Sequence, residues 1–149
     1  MLLPFLLLIQ TVFGQTSEDT LSIRKVISMF EADFNEGSFK NAYQYTTDDW
    51  EHINPLGGID KSRDSVLKVV KMVHQSFLRG VTMKTQSINI RFITPDVAIA
   101  DVIHKMNTYT TPDGVRHENE SHIKTYVVVK KNRKWLLTHD HNTIQTGMK

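Results

Sequence analysis

Close to the end of the chain, the stretch WLLTHDHNTI (residues 135–144) carries two histidines two positions apart, His139 and His141. Side chains at i and i+2 of a strand share a face, so Trp135, Leu137, His139 and His141 are expected to form one row running from apolar to imidazole. An earlier segment, DDWEHIN, sets Trp50, His52 and Asn54 at the same spacing behind Asp48 and Asp49, and His104 stands in the apolar alternation of VAIADVIHKM. Imidazoles and carboxylates are the groups that exchange protons near neutral pH. General acid–base chemistry on the last strand would fall to His139 or His141. The plainer reading is that His104 is a hydrogen-bonded packing residue and that Trp50 and Trp135 are core. His139 and His141 also supply two imidazoles to one ion, with His117, Glu118 or His122 as a third ligand, but two ligands are not a site and no metal is expected.

Composition removes several other chemistries. There is no cysteine among the 149 residues, which excludes disulfides, thiolate zinc sites and cysteine nucleophiles. The net charge is +2, with basic and acidic residues interspersed, and the one basic cluster, KKNRK at 130–134, reads as a solvated hairpin tip. A nucleic-acid partner would need a basic stripe, so none is expected. No glycine-rich dinucleotide loop is present, and no organic cofactor is expected. The opening MLLPFLLLIQTVFGQ is apolar, too short to span a bilayer, and ends in a cleavage-like Val-Phe-Gly. Residues 1–14 are therefore expected to be a signal peptide, and 15–149 one domain that is secreted or periplasmic and free of the membrane after cleavage.

The elements that must position these residues follow from periodicity. SEDTLSIRKVISMFEADFNEG places Ile23, Val26, Ile27, Phe30 and Phe34 at helical spacing, with Ser17 as cap and Gly37 as stop. FKNAYQY predicts a short second helix and KSRDSVLKVVKMVHQSFL a third. From Val81 onward four β-branched or aromatic runs are separated by Thr94-Pro95-Asp96, Pro112-Asp113-Gly114 and the KKNRK tip, which predicts an antiparallel meander. Three helices followed by a meander make an α+β domain in which a curved sheet wraps over helices. The row Val97, Ile99, Ile103, interrupted by Asp101, suggests an outward apolar face and a homodimer.

Three stretches carry a family resemblance: DDWEHINPLGGIDKSRDSV, RFITPDVAIADV and KWLLTHDHNT. Together they resemble the SgcJ/EcaC branch of the SnoaL-like proteins, over roughly residues 20–144. The resemblance implies the cone-shaped α+β barrel of nuclear transport factor 2, with a mostly apolar pocket between helices and sheet; carried over residue by residue, it implies ligand contacts from Trp50, His52, Asn54, His104, His139 and His141, and a catalytic group among His139, His141 and Asp49, since relatives often place a carboxylate where Asp48 and Asp49 begin the first strand. One departure stands out, since the family usually has glycine at or near Ser62. The implied functions are binding of a small apolar or ring-bearing molecule, cofactor-independent proton transfer such as isomerase, cyclase or hydrolase chemistry, or a non-catalytic dimerisation module. The leader generates the first prediction: the protein recovered from its own host begins at Gln15 or within two residues of it, as read by N-terminal sequencing, and an intact Met1 on the folded, exported protein would refute it.

Overall fold

The computed structural model describes residues 12–145, so most of the expected leader lies outside the described residues. Helix α1 (Val12–Glu36) starts ahead of Ser17, which therefore sits inside the helix and does not cap it. It turns Ile23, Val26, Ile27 and Phe30 into the core. It stops at Gly37, where φ is +69° and the N–H returns to Asp33 O at 2.9 Å and Phe34 O at 3.0 Å. Glycine closes such a left-handed turn without strain. A side chain would also be tight here, because a Cβ on Gly37 would lie 3.3 Å from the His74 ring.

The second helix is a single turn, α2 (Ala42–Tyr45). The fully buried Asp33 carboxylate shapes its approach, accepting from the Asn41 N–H at 3.1 Å, Asn41 Nδ2 at 2.8 Å and the Tyr45 hydroxyl at 3.0 Å. Strands β1 (Thr46–Ile53) and β2 (Ile59–Lys61) form a hairpin, and α3 (Arg63–Gln75) follows, burying Val66, Leu67 and His74. The meander runs through β3 (Met83–Thr94), β4 (Val97–Met106), β7 (Ser121–Lys131) and β8 (Lys134–Ile144), all paired antiparallel. The long strand expected to reach Thr110 breaks after Met106, and a small separate hairpin, β5 (Tyr109–Thr110) with β6 (Arg116–His117), fills the connection.

The sheet order is β2-β1-β8-β7-β4-β3, with β1 and β8 parallel. This is the expected α+β cone, helices on the concave face of a mainly antiparallel sheet. Phe30 is its hub, edge-on to Phe39, Trp50 and Tyr126 at centroid distances of 6.1, 6.4 and 5.6 Å. Each such pair adds about 0.5–1.5 kcal/mol beyond area burial. Along β4 the inward row is Ala98, Ala100, Val102 and His104, and the outward Val97, Ile99 and Ile103 are half-buried. Among the described residues no helix is long and apolar enough to cross a membrane.

Ser62, where the family usually has glycine, takes φ 78° and ψ 145° as the N-cap of α3, with its hydroxyl accepting from Ser65 N at 3.4 Å. A side chain in that region costs about 1–3 kcal/mol, whereas exchanging a serine cap for glycine costs only a few tenths. Allowing for the extra freedom of unfolded glycine, Ser62→Gly should stabilise the domain by roughly 0.5–1 kcal/mol in chemical denaturation. Ser62→Ala, which loses the cap and keeps the strain, should destabilise it.

Candidate functional site

The expected row Trp135, Leu137, His139, His141 is broken. Strand β8 pairs Leu137 with Val128 but His139 with Val127, so Thr138 is an extra residue in a β-bulge, and β1 is irregular over the same stretch, between Thr46 and Glu51. One inserted residue flips every later side chain to the other face. Trp135 and Leu137 stay buried, Asp140 follows them inward, and His139 and His141 turn to the outer face, His139 half-exposed with Nδ1 3.6 Å from Glu51 and His141 exposed. The pocket placement expected for these two histidines is therefore corrected. Asn142 turns inward by the same shift, its amide Nδ2 lying 3.1 Å from His122 Nδ1.

Asp140 is what the bulge delivers. Its carboxylate has no exposure and accepts from Trp50 Nε1 at 2.7 Å, His52 Nδ1 at 2.6 Å and Lys124 Nζ at 2.9 Å. Strand β1 contributes Trp50 and His52, β7 contributes Lys124 and β8 the carboxylate itself, which is why the cluster forms only in the assembled sheet. Lys124 lies 4.0 Å above the Phe30 ring and 5.6 Å from that of Tyr126, a cation packed between aromatic faces. Burial alone would raise the Asp140 carboxyl, yet Lys124 and His52 hold it well below the usual carboxylate range. Burial depresses Lys124, and Asp140 opposes that.

A second chain of polar groups continues along the same face. His104 lies 2.9 Å from the Tyr126 hydroxyl through Nε2 and 3.2 Å from Thr85 Oγ1 through Nδ1. Its burial, with Lys124 and His122 nearby, pushes its pKa down to about 3. His122 is buried opposite His104 on β7, and burial lowers its pKa too, against the pull of Asn142 and Glu120. Its Nε2 has no hydrogen-bond partner among the described residues and lies 3.5 Å from Glu120 Oε2. Glu120 also receives His117 Nδ1 at 2.8 Å and the Tyr109 hydroxyl at 3.4 Å, and the Tyr109 and His117 rings stack at 4.6 Å.

Of the residues singled out from sequence, Trp50, His52 and His104 meet on the concave face. Asn54 does not join them, because its Oδ1 accepts from Leu56 N at 2.9 Å and Gly58 N at 3.1 Å and so closes the β1–β2 turn. Asp48 and Asp49 are exposed, Asp48 paired with Arg63, and Asp49 hydrogen-bonded to Thr47, which with Lys131 lowers its pKa. Neither carboxylate reaches the cluster. Sequence reasoning missed Asp140 and Lys124 and named His122 only as a third ligand for an ion; the row His122, Lys124, Tyr126, Val128 was a readable signal, since it places a lysine inside an apolar alternation. Among the described residues no group of three or more His, Asp or Glu side chains is arranged to hold a metal.

The sequence profile of the SnoaL-like domain matches residues 23–145, and the chain belongs to that family. No curated protein matches it. Among solved structures it is similar to an uncharacterized protein with a cystatin-like fold from Caulobacter vibrioides, at 23% identity over 87% of this chain and 92% of that one, with TM-score 0.83. It is also similar to hexachlorocyclohexane dehydrochlorinase LinA-type3 from Novosphingobium barchaimii LL02, at 12% identity over 91% and 92% with TM-score 0.77. A putative scytalone dehydratase from Novosphingobium aromaticivorans DSM 12444 is 14% identical over 91% and 89%, with TM-score 0.72. These likenesses show the fold.

The buried imidazoles set an acid limit on stability. His104 and His74, the latter pushed down to about 4 by burial, stay neutral in the folded chain but take up protons near pH 6.5 once unfolded. Below that pH the unfolded state binds more protons, so stability present above pH 6.5 is lost as pH falls toward the folded values, and Asp140 adds its share in the carboxylate range. Unfolding free energy should drop by up to roughly 1.4 kcal/mol per pH unit for His104 alone between about pH 6 and 4. His104→Gln should flatten that slope in denaturation series at several pH values.

Proposed function

We propose that this SnoaL-like domain binds a small ring-bearing molecule at the polar end of its concave face, where His52, His122 and the Lys124–Asp140 pair adjoin the aromatic cluster of Phe30, Trp50 and Tyr126. The observation that carries the reading is the buried ion pair itself. Lys124 and Asp140 side chains are only 7% and 0% exposed, and a buried pair of this kind is seldom worth more to stability than apolar side chains of the same volume. Its retention beside a buried His122 Nε2 that makes no hydrogen bond and only a 3.5 Å contact with Glu120 is accounted for by a ligand that completes the polar set. LinA-type3 and the putative scytalone dehydratase, enzymes by their names, share the fold. Their chemistry is not carried over.

A second reading is favoured by one contact. Asp140 holds the His52 ring through Nδ1 at 2.6 Å, which leaves Nε2 as the proton acceptor, and the side chain is 11% exposed. A carboxylate orienting an imidazole is the arrangement of a general base, and with no organic cofactor it would serve proton abstraction or elimination on the bound ring. Turnover of the bound molecule that disappears in His52→Gln would mark this reading.

The partner proposed for the outer sheet face is a second copy, because Val97, Ile99, Ile103, Ile123 and Val127 lie side by side on β4 and β7, half-buried, with no described element over them. Export before folding accords with the apolar leader. Native mass spectrometry of the protein from its own host reads all three features together. The expected spectrum is a dimer carrying one small molecule per chain, each chain beginning near Gln15. His52→Ala and His122→Ala, which also remove buried contacts and so lower the melting temperature, should weaken retention about tenfold or more under conditions where both variants remain folded. A ligand-free wild type, or full retention by both variants, would overturn the binding reading.

A further inference from the structure

Away from the concave face, a cavity of about 360 Å³ opens between α2, the start of β1, the start of α3 and the β7–β8 hairpin. Three cations line it, Arg63, Lys131 and Lys134, against a single carboxylate, Asp48, and Tyr43 and Leu136 supply apolar wall. Arg63 is fixed in place: its side chain is 15% exposed, Nη1 donates to Thr46 O at 3.2 Å, Nη2 pairs with Asp48, and the guanidinium lies 4.2 Å from the centre of the Tyr43 ring. Asp48 is by contrast 93% exposed and free to swing away. An exposed ion pair of that kind holds its partner weakly.

The hairpin makes the charge arrangement costly. Asn132 and Arg133 both take positive φ, 50° and 63°, which is the two-residue turn that locks strand register, and it sets Lys131 directly opposite Lys134. Like charges opposite one another across two strands destabilise the pair. Asp49 lies within electrostatic reach of Lys131, but Lys134 has no ion-pair or hydrogen-bond partner among the described residues. A dianion placed between the two lysines and Arg63 would turn this repulsion into charge-assisted hydrogen bonding.

We propose that this cavity is a second ligand site, taking the phosphoryl group of a small phosphorylated molecule between Lys131, Lys134 and Arg63, with the rest of that molecule against Tyr43 and Leu136. Asp48 occupies the Arg63 guanidinium until the phosphoryl oxygens displace it. The site stands on the outer side of β1 and β8 and does not depend on the concave-face reading.

The test is a titration with phenyl phosphate, with inorganic phosphate and benzoate as comparison ligands, followed by backbone amide signals at constant ionic strength so that screening does not change. Phenyl phosphate should move the amides of residues 46–48 and 131–136 and saturate. Inorganic phosphate, lacking the ring, should bind about tenfold more weakly, and benzoate, lacking the second charge, likewise. Lys131→Gln with Lys134→Gln, exposed positions at a hairpin tip, should cost about tenfold or more in affinity, while Asp48→Asn, which removes the competing carboxylate, should tighten binding. Failure to saturate, binding unchanged in the double variant, or benzoate binding as tightly as phenyl phosphate would overturn the proposal.

Discussion

A carboxylate without solvent holds its charge only through its donors, and much of this molecule is arranged around that requirement at Asp140. Its three partners arrive from two strands, Trp50 and His52 from β1 and Lys124 from β7, so the parallel β1–β8 pairing and the antiparallel β7–β8 pairing must both be in register before the charge is satisfied. Loss of any one register would leave a buried ion unpaired, at a cost of about 3–5 kcal/mol. The polar cluster thus selects one alignment of a sheet whose apolar rows alone would tolerate others.

The aromatic hub reinforces the selection. Phe30 touches Phe39, Trp50 and Tyr126 and lies under the Lys124 ammonium, so α1 is positioned by the same residues that the polar cluster fixes from below. Packing and charge agree there. The face is divided along its length: Ala98, Ala100, Val102, Val128 and Leu137 make the apolar end, and His104, His122, Lys124 and Asp140 the polar end.

The bulge at Thr138 and the irregular stretch of β1 act on both sides of the sheet. Inward they place Asp140 and Asn142; outward they release Asp48 and Asp49 from the core rows, and the cationic groove beside Arg63 and the β7–β8 hairpin borders the same stretch. Bulges gather where a strand must re-aim a side chain, and here one irregularity serves two surfaces.

Much of the fold was legible in the residues. Helical spacing of Ile23, Val26, Ile27 and Phe30, the stop at Gly37, and four β-branched runs between turn signals were enough for an α+β domain with a curved sheet over helices, because each is a local pattern with a local cause, and the family resemblance supplied the cone. Half of the concave cluster was legible as well, since Trp50 and His52 keep their two-residue spacing past the irregular start of β1 and His104 sits in the unbroken alternation of β4. The rest could not be read locally. Beyond Leu137 the order Thr138, His139, Asp140, His141, Asn142 is polar at every position, so alternation carries no parity and nothing announces the extra residue. What sends Asp140 inward and His139 and His141 outward is the pairing with β1 and β7, where three donors wait for one carboxylate; that is a property of strands brought together from residues 50, 52, 124 and 140, and only the tertiary structure decides it.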